Sequence, residues 1–307
     1  MQEIDRRTFI ITSGLAVAGL ATACGKSQAP LPSGASLDTL VKAVQARDRK
    51  ITVVQAVGSI LVRPQSRVSF ALTNEANTTR YTGGSIRVYG SSIASTGPAQ
   101  GPIPAVYHGQ GLGTKGVYVV RLDVDRAGDW NLMVVGKPAG VSDEVWGGAA
   151  YPAVKDVPGP DPGAKAISVP TPTTENHRGV EPYCTRTPPC SMHRISLVDA
   201  LKNGHPTVFV IGTPRFCMSR VCGPVVDIIQ GVSAEFADRV NFVHAEVYKD
   251  DKNAPASPNG LAPAPKAYSL EEEPVTYWIK PDNTITERIV GPTDTPEVRL
   301  LTQALLG

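Results

Sequence analysis

The chain has 307 residues, 41% of them hydrophobic, and 30 basic residues nearly balance 28 acidic ones for a formal charge of +2. That length is too great for one small core and comfortable for two domains. No basic run or aromatic-interleaved basic patch is present, which argues against a nucleic-acid partner.

Paired arginines, Arg6-Arg7, precede an apolar stretch from Gly14 to Ala23 that ends at Cys24. A stable membrane span needs roughly 20 apolar residues, so this shorter stretch is expected to be an export signal. It occupies residues 1–23. The arginine pair resembles a twin-arginine signal. Leu20-Ala21-Thr22-Ala23-Cys24 resembles a bacterial lipobox, with Ala21 where the usual leucine stands. The resemblance implies a lipidated Cys24 and an exported chain anchored at the outer face of the cytoplasmic membrane. Cleavage after Ala21-Thr22-Ala23 by an ordinary signal peptidase gives the same mature start without lipid. Residues 24–47 then read as a tether, with a short helix expected within Leu37–Arg49.

Residues 48–157 read as all-β. Ile51–Val57, Arg67–Thr73, Ser85–Tyr89, Val117–Val124 and Trp130–Val135 are short, rich in β-branched and aromatic residues, and separated by Gly, Pro, Asn and Ser clusters. About seven such strands in roughly 100 residues predict a β-sandwich of immunoglobulin-like type, without the antibody-type disulfide. Its histidine, His108, stands in a Gly/Pro-rich stretch and reads as a solvated loop side chain. The domain reads as a spacer or binding module. Residues 158–183, with Pro158-Gly159-Pro160-Asp161-Pro162-Gly163 and Pro170-Thr171-Pro172, read as an extended linker.

From 184 to 307 the pattern alternates between helix and strand. Ser196 is the expected cap of a short helix, Leu197–Lys202. Thr207–Ile211 is a continuous apolar run, hence a central buried strand. Val225–Asp238 carries an apolar stripe at 225, 228, 229, 232 and 236, which predicts a helix. Strands follow at Val240–Val247, Val275–Ile279 and Thr284–Val290. A last helix is expected with Thr295 as its cap and Pro296 at its first position.

Between the apolar strand and the striped helix lie Cys217 and Cys222. A helix N-terminus favours the thiolate, the reactive form, so a cysteine pair at such a junction reads as a redox site. The order β-α-β, then β-β-α, with this pair and with Glu273-Pro274-Val275-Thr276-Tyr277-Trp278-Ile279, resembles the thioredoxin superfamily. Trp278–Gly291 resembles the closing hairpin of its extracytoplasmic thiol reductase branch. The expected architecture is therefore multidomain: an all-β immunoglobulin-like sandwich followed by an α/β thioredoxin-like domain. The resemblance implies a cis-proline at Pro274 beside the cysteines. It departs in spacing, with four residues between Cys217 and Cys222 where thioredoxins have two. Residues five apart on a regular helix are separated by about 7.5 Å along the axis, whereas a disulfide needs Cα atoms within roughly 7 Å. A helix starting near Pro224 leaves both cysteines free to bond; one starting near Cys217 must unwind first.

Five cysteines leave one over in an exported chain; with Cys24 lipidated, Cys217–Cys222 and Cys184–Cys190 remain as expected pairs in an oxidising compartment. Cys184–Cys190 reads as a structural clip, with a redox relay as the other reading. Cys217 is the favoured nucleophile, flanked by Arg215 and Arg220. The Thr213-Pro214 loop and the five-residue offset also resemble one subgroup of peroxiredoxins, with Thr213 one position out of register. Copper chaperones of the Sco type share the fold and use two cysteines with a distant histidine. His244 lies inside a strand and reads as a core or sheet-face residue, which leaves a cysteine-only copper site open. His193, just after Cys190, adds a small soft-ligand cluster. No cofactor or metal is expected. The expected function is membrane-tethered thiol–disulfide exchange with protein thiols or disulfides of the cell envelope. A thiol peroxidase and a non-enzymatic surface lipoprotein with structural disulfides are the alternatives.

Overall fold

A computed structural model describes residues 30–45, 50–252 and 260–307. Arg6, Arg7 and Cys24 lie outside the described residues, so the export and lipidation expectations stand as such. The first helix, α1 (Leu37–Gln45), buries Leu40 and Val44 one turn apart, the spacing that puts two side chains on one face. Among the described residues no helix is long and apolar enough to cross a membrane.

The strands that follow are β1 (Thr52–Gln55), β2 (Ile60–Leu61), β3 (Ser66–Thr73), β4 (Arg80–Tyr81), β5 (Ser85–Ser92), β6 (Gln100–His108), β7 (Val117–Leu122), β8 (Gly128–Lys137) and β9 (Val145–Val154). They form one hydrogen-bonded path, β1-β3-β7-β6-β5-β8-β9-β2, with β4 paired to β3. The path turns at β6. Its first half pairs with β5 and its second half, Val106–His108, with β7. The two halves of the path thereby face each other across one core, where Val68, Phe70 and Leu122 meet Val88, Leu132 and Tyr151.

The sequence pattern missed the two-residue strands β2 and β4 and also β6 and β9. β6 carries Pro102 and Pro104, which cannot donate to a ladder, and the register shifts between Val88 and Gly90 where it passes Gly101-Pro102. β9 is interrupted by Gly147 and Gly148. A Cβ at Gly147 would stand 2.5 Å from the Ile51 carbonyl, so the close approach of β9 to that segment requires glycine.

Segment 158–183 has no helix or strand and lies along the α/β part. Ala166 donates to the Asn283 carbonyl, and Glu181 to that of Lys249. Thr171 and Ser196 exchange bonds: the Ser196 hydroxyl accepts from the Thr171 N–H, and the Thr171 hydroxyl accepts from the Leu197 N–H, both at 2.9 Å. Ser196 therefore does not cap α2 (Leu197–Ala200) with its side chain, contrary to expectation.

The remaining elements are β10 (Thr207–Ile211), α3 (Cys222–Phe236), β11 (Asn241–Ala245), α4 (Pro263–Ala267), β12 (Val275–Ile279), β13 (Ile285–Val290) and α5 (Thr295–Ala304). The sheet order is β11-β10-β12-β13, with β10 parallel to β11 and antiparallel to β12. Along the chain this is the β-α-β, then β-β-α order read from the sequence, with α3 crossing between the parallel strands. All five residues of β10 are buried, as its unbroken apolar run requires. Alternation sends Val208 and Val210 to the face covered by α3 and α5, and Phe209 and Ile211 to the face covered by α2 and α4.

The all-β and α/β parts belong to one compact unit, Ser33–Gly307. Arg67 of β3 makes a bidentate pair with Glu297 of α5, at 3.1 and 3.0 Å, with both side chains under one-tenth exposed. His108 is not solvated: its Nδ1 lies 3.0 Å from Asp294 and 3.6 Å from Glu297. Asp294, rather than Thr295, caps α5 by accepting from the Glu297 N–H. Asp294 also accepts from the Gly109 N–H. That one carboxylate therefore finishes a helix and fastens two parts of the chain.

Candidate active site

Strand β10 ends at Ile211, and the chain runs through a loop to α3, whose first residue is Cys222. Cys217 lies in the loop and Cys222 opens the helix, so the two cysteines do not share a continuous helix. The Cys217 N–H donates to the Thr213 carbonyl and the Arg220 N–H to the Cys217 carbonyl, which folds the loop back on itself. Arg220 takes a positive φ of 56° there. The two sulfurs approach to 2.7 Å and both thiols are free.

The environments of the two thiols differ. Hydrogen bonding from the Cys222 thiol, from the Ser219 hydroxyl and from the backbone N–H groups of Cys222 and Val221 lowers Cys217 to about 5, against the opposing effect of burial. The expected arginines are not among these causes; the Arg215 guanidinium lies 5.3 Å from the centre of the Phe216 ring. Burial first, then the bond to Cys217 and the charge of Glu273, push Cys222 up. The arrangement separates a hydrogen-bonded thiolate from a thiol held protonated, although both side chains are buried, and that is the division of labour two-step disulfide exchange needs.

Glu273, which sequence reasoning placed only in the proline motif, completes the site. Its carboxylate accepts from the Thr213 N–H at 3.1 Å and stands 3.3 Å from Cys222 Sγ. Burial and the charge of Cys217 raise it to about 7. The Glu273–Pro274 bond is cis. Pro274 and Cys217 line one cleft of about 560 Å³, whose opposite wall comes from the all-β part through Val54, Ala56, Arg80, Lys115 and Val117. Met218 stands at its mouth, 87% exposed. A Cβ at Gly212 would meet Pro274 at 3.2 Å and Cys222 Sγ at 3.7 Å, so the end of β10 packs directly under the pair.

Thr213, the residue of the peroxiredoxin comparison, is fully buried and turns its hydroxyl toward Thr185, 3.5 Å away. Glu246 accepts from the Thr185 N–H and hydroxyl on the same side.

Cys184 and Cys190 form a second group. Their sulfurs are 3.8 Å apart, unbonded and buried. The register of β11 against β10 sets His244 opposite Val210 and turns it into this group, with Nδ1 3.3 Å from Cys190 Sγ and 3.9 Å from Cys184 Sγ. His193 Nε2 lies 3.0 Å from the same nitrogen. His244 is thus a buried partner of the cysteines and not merely a core residue. The sequence held a partial signal in Cys190-Ser191-Met192-His193; nothing local tied it to His244. The hydrogen bond from Cys190 first, and then the contacts with the His193 and His244 rings, push Cys184 down against the effect of burial.

No protein-family model matches the chain, and no curated protein matches it. Among solved structures it is similar to a protein described as DsbE, a thiol:disulfide interchange protein, from Chlorobium tepidum: 18% identity, 48% of this chain, 99% of the other, TM-score 0.34. It is also similar to a thioredoxin-family thiol:disulfide interchange protein from Chlorobium tepidum TLS, at 16% identity over 50% of this chain and all of the other, TM-score 0.30.

Proposed function

We propose that the chain is a thiol–disulfide oxidoreductase in which Cys217 is the nucleophile, Cys222 the resolving thiol, Glu273 the proton acceptor and Pro274 part of the partner-binding wall. The observation that carries this reading is the contrast within one pair, a lowered Cys217 against a raised Cys222 touching a carboxylate. The Cys217 thiolate attacks a partner disulfide, forming a mixed disulfide and releasing the first partner thiolate. Glu273 takes the Cys222 proton; Cys222 then attacks Cys217 Sγ and releases the second partner thiolate. The pair ends as a Cys217–Cys222 disulfide, with two electrons passed to the partner. An external dithiol reductant returns the pair to its starting state.

The partners on this reading are proteins of the cell envelope that carry thiols or disulfides. A cleft walled partly by the all-β part, an immunoglobulin-like module on this reading, would take up an extended segment of such a partner. Export and anchoring through a lipidated Cys24 belong to the same proposal. The peroxidase alternative is weakened by Thr213, whose buried hydroxyl lies 3.5 Å from that of Thr185 and is bonded to Glu246.

Single-cysteine variants test the assignment. Cys222→Ser should accumulate a mixed disulfide through Cys217, because the first attack survives and resolution does not. Cys217→Ser should lose exchange altogether. Equal loss in both variants with no trapped species, from protein shown to be folded, would refute the assignment of roles.

A further inference from the structure

We propose that Cys184, Cys190, His193 and His244 form a closed tetrahedral site for a zinc ion, separate from the Cys217–Cys222 pair. All four residues are buried, and their candidate ligand atoms lie within 4.8 Å of one another. A tetrahedral zinc ion with Zn–S of about 2.3 Å and Zn–N of about 2.0–2.1 Å sets S···S near 3.8 Å, S···N near 3.6 Å and N···N near 3.3 Å. The observed sulfur separation is 3.8 Å. His244 Nδ1 lies 3.9 and 3.3 Å from the two sulfurs and 3.0 Å from His193 Nε2. Four of the six edges are thus close to those of a zinc tetrahedron, and the two from His193 to the sulfurs lie within 4.8 Å.

The outer nitrogens supply an independent argument. His193 Nδ1 is held 3.2 Å from the Pro172 carbonyl, and His244 Nε2 is held 2.9 Å from the Gly212 carbonyl. A carbonyl only accepts, so each outer nitrogen carries the hydrogen. In the neutral rings the inner nitrogens are then bare lone pairs, and they face each other. Two bare acceptors 3.0 Å apart repel unless a proton or a metal ion lies between them or a neighbouring thiol donates to each. A proton satisfies the two nitrogens only; a metal ion satisfies all four donors. Backbone carbonyls that fix the tautomer of ligand imidazoles are the usual outer support of metal-binding histidines.

Charge and ligand type select the metal. Zn²⁺ with two thiolates and two neutral imidazoles has no net charge, so the assembled centre suits a site sealed from water. Two sulfur and two nitrogen donors in a tetrahedron favour zinc over hard cations, and four protein ligands leave no open position, as in structural sites. Binding forms two Zn–S and two Zn–N bonds, and the displaced thiol protons pass to solvent. The centre would fix the segment around 184–193 onto β11. Through the His244–Gly212 bond it would also steady the end of β10, on which Cys222 and Pro274 rest.

The test uses the full chain with Cys24→Ser, Cys217→Ser and Cys222→Ser, which removes the other thiols that could hold metal. The protein is reduced, supplied with zinc, desalted, and its metal measured by plasma mass spectrometry. About one zinc per chain is expected, as for a closed site. Cobalt(II) in place of zinc should give the intense visible bands of tetrahedral thiolate coordination, and Cys184 and Cys190 should resist alkylation until a chelator is added. His193→Ala and Cys190→Ala, checked for folding by circular dichroism, should each lose most of the metal. The proposal is overturned by zinc far below one equivalent in the reduced, folded parent, or by a Cys184–Cys190 disulfide that persists in the parent made with zinc present. Both results would leave the Cys217–Cys222 assignment untouched.

Discussion

Removing the Ser219 hydroxyl tests how the site makes its thiolate. Ser219 Oγ lies 3.2 Å from Cys217 Sγ, one of several hydrogen bonds that hold the thiol at about 5. A hydrogen bond to a charged group contributes about 1.5–3 kcal/mol, and one pKa unit corresponds to about 1.4 kcal/mol. Ser219→Ala should therefore raise the Cys217 midpoint by about one to two units. The assay is the initial reaction of the reduced protein with a dithiodipyridine, followed by the released thiopyridone, with the modified cysteine located by mass spectrometry.

Absolute rate at neutral pH is a poor readout. Cys217 is almost wholly thiolate there and an ordinary thiol with pKa about 8.5 is only about 3% so. That gain of about 30-fold is cancelled by the lower nucleophilicity of an acidic thiolate, since β is about 0.4–0.5. Near pH 5.5 the thiolate fractions differ by almost 10³, and Cys217 should react about 20-fold faster than the ordinary thiol. In Ser219→Ala the midpoint moves up while the plateau rate rises about three- to tenfold, the Brønsted signature of a more basic sulfur. A wild-type midpoint near the ordinary thiol value, or a Ser219→Ala profile superimposable on wild type, would refute the hydrogen-bond account.

Glu273→Gln should slow resolution by about 10² or more. It should also remove the rise in turnover that Glu273 deprotonation produces near pH 7, the sign expected for a carboxyl whose charged form accepts the Cys222 proton; a pH–rate profile of both proteins decides this. Glu297→Ala leaves Arg67 buried without its partner and should cost about 3–5 kcal/mol in urea unfolding, whereas a loss under about 1 kcal/mol would mean that the pair is as weak as a surface one. Cys24→Ser should move the protein from the membrane fraction to the soluble one. Membrane retention by this variant would exclude a lipid anchor at that residue.

The α/β part was legible because its signals are local and its elements central. The apolar run Thr207–Ile211 permits little but a buried strand, and the stripe after Val225 fixes one helix face. The helix starts earlier than the stripe, at Cys222, because a first turn needs no apolar side chain on its solvent side. The all-β part was less legible. β6 is only partly buried and carries two prolines, so its place in the path depends on neighbours that accept an irregular register. His108 looked solvated because its partner, Asp294, is 186 residues away.

By itself the sequence determined which segments could be strands and helices, and that Cys217 and Cys222 stand where a strand hands over to a helix. These follow from periodicity and spacing, which are properties of neighbouring residues. Only the tertiary structure decided that Glu273 reaches Cys222, that the all-β part walls the cleft, and that His193 and His244, 51 residues apart, turn their nitrogens toward Cys184 and Cys190. The cause is the register of β11 on β10 and the path of segment 158–193 across the sheet. Both are fixed by burial summed over many long-range contacts, and no short stretch of sequence encodes them.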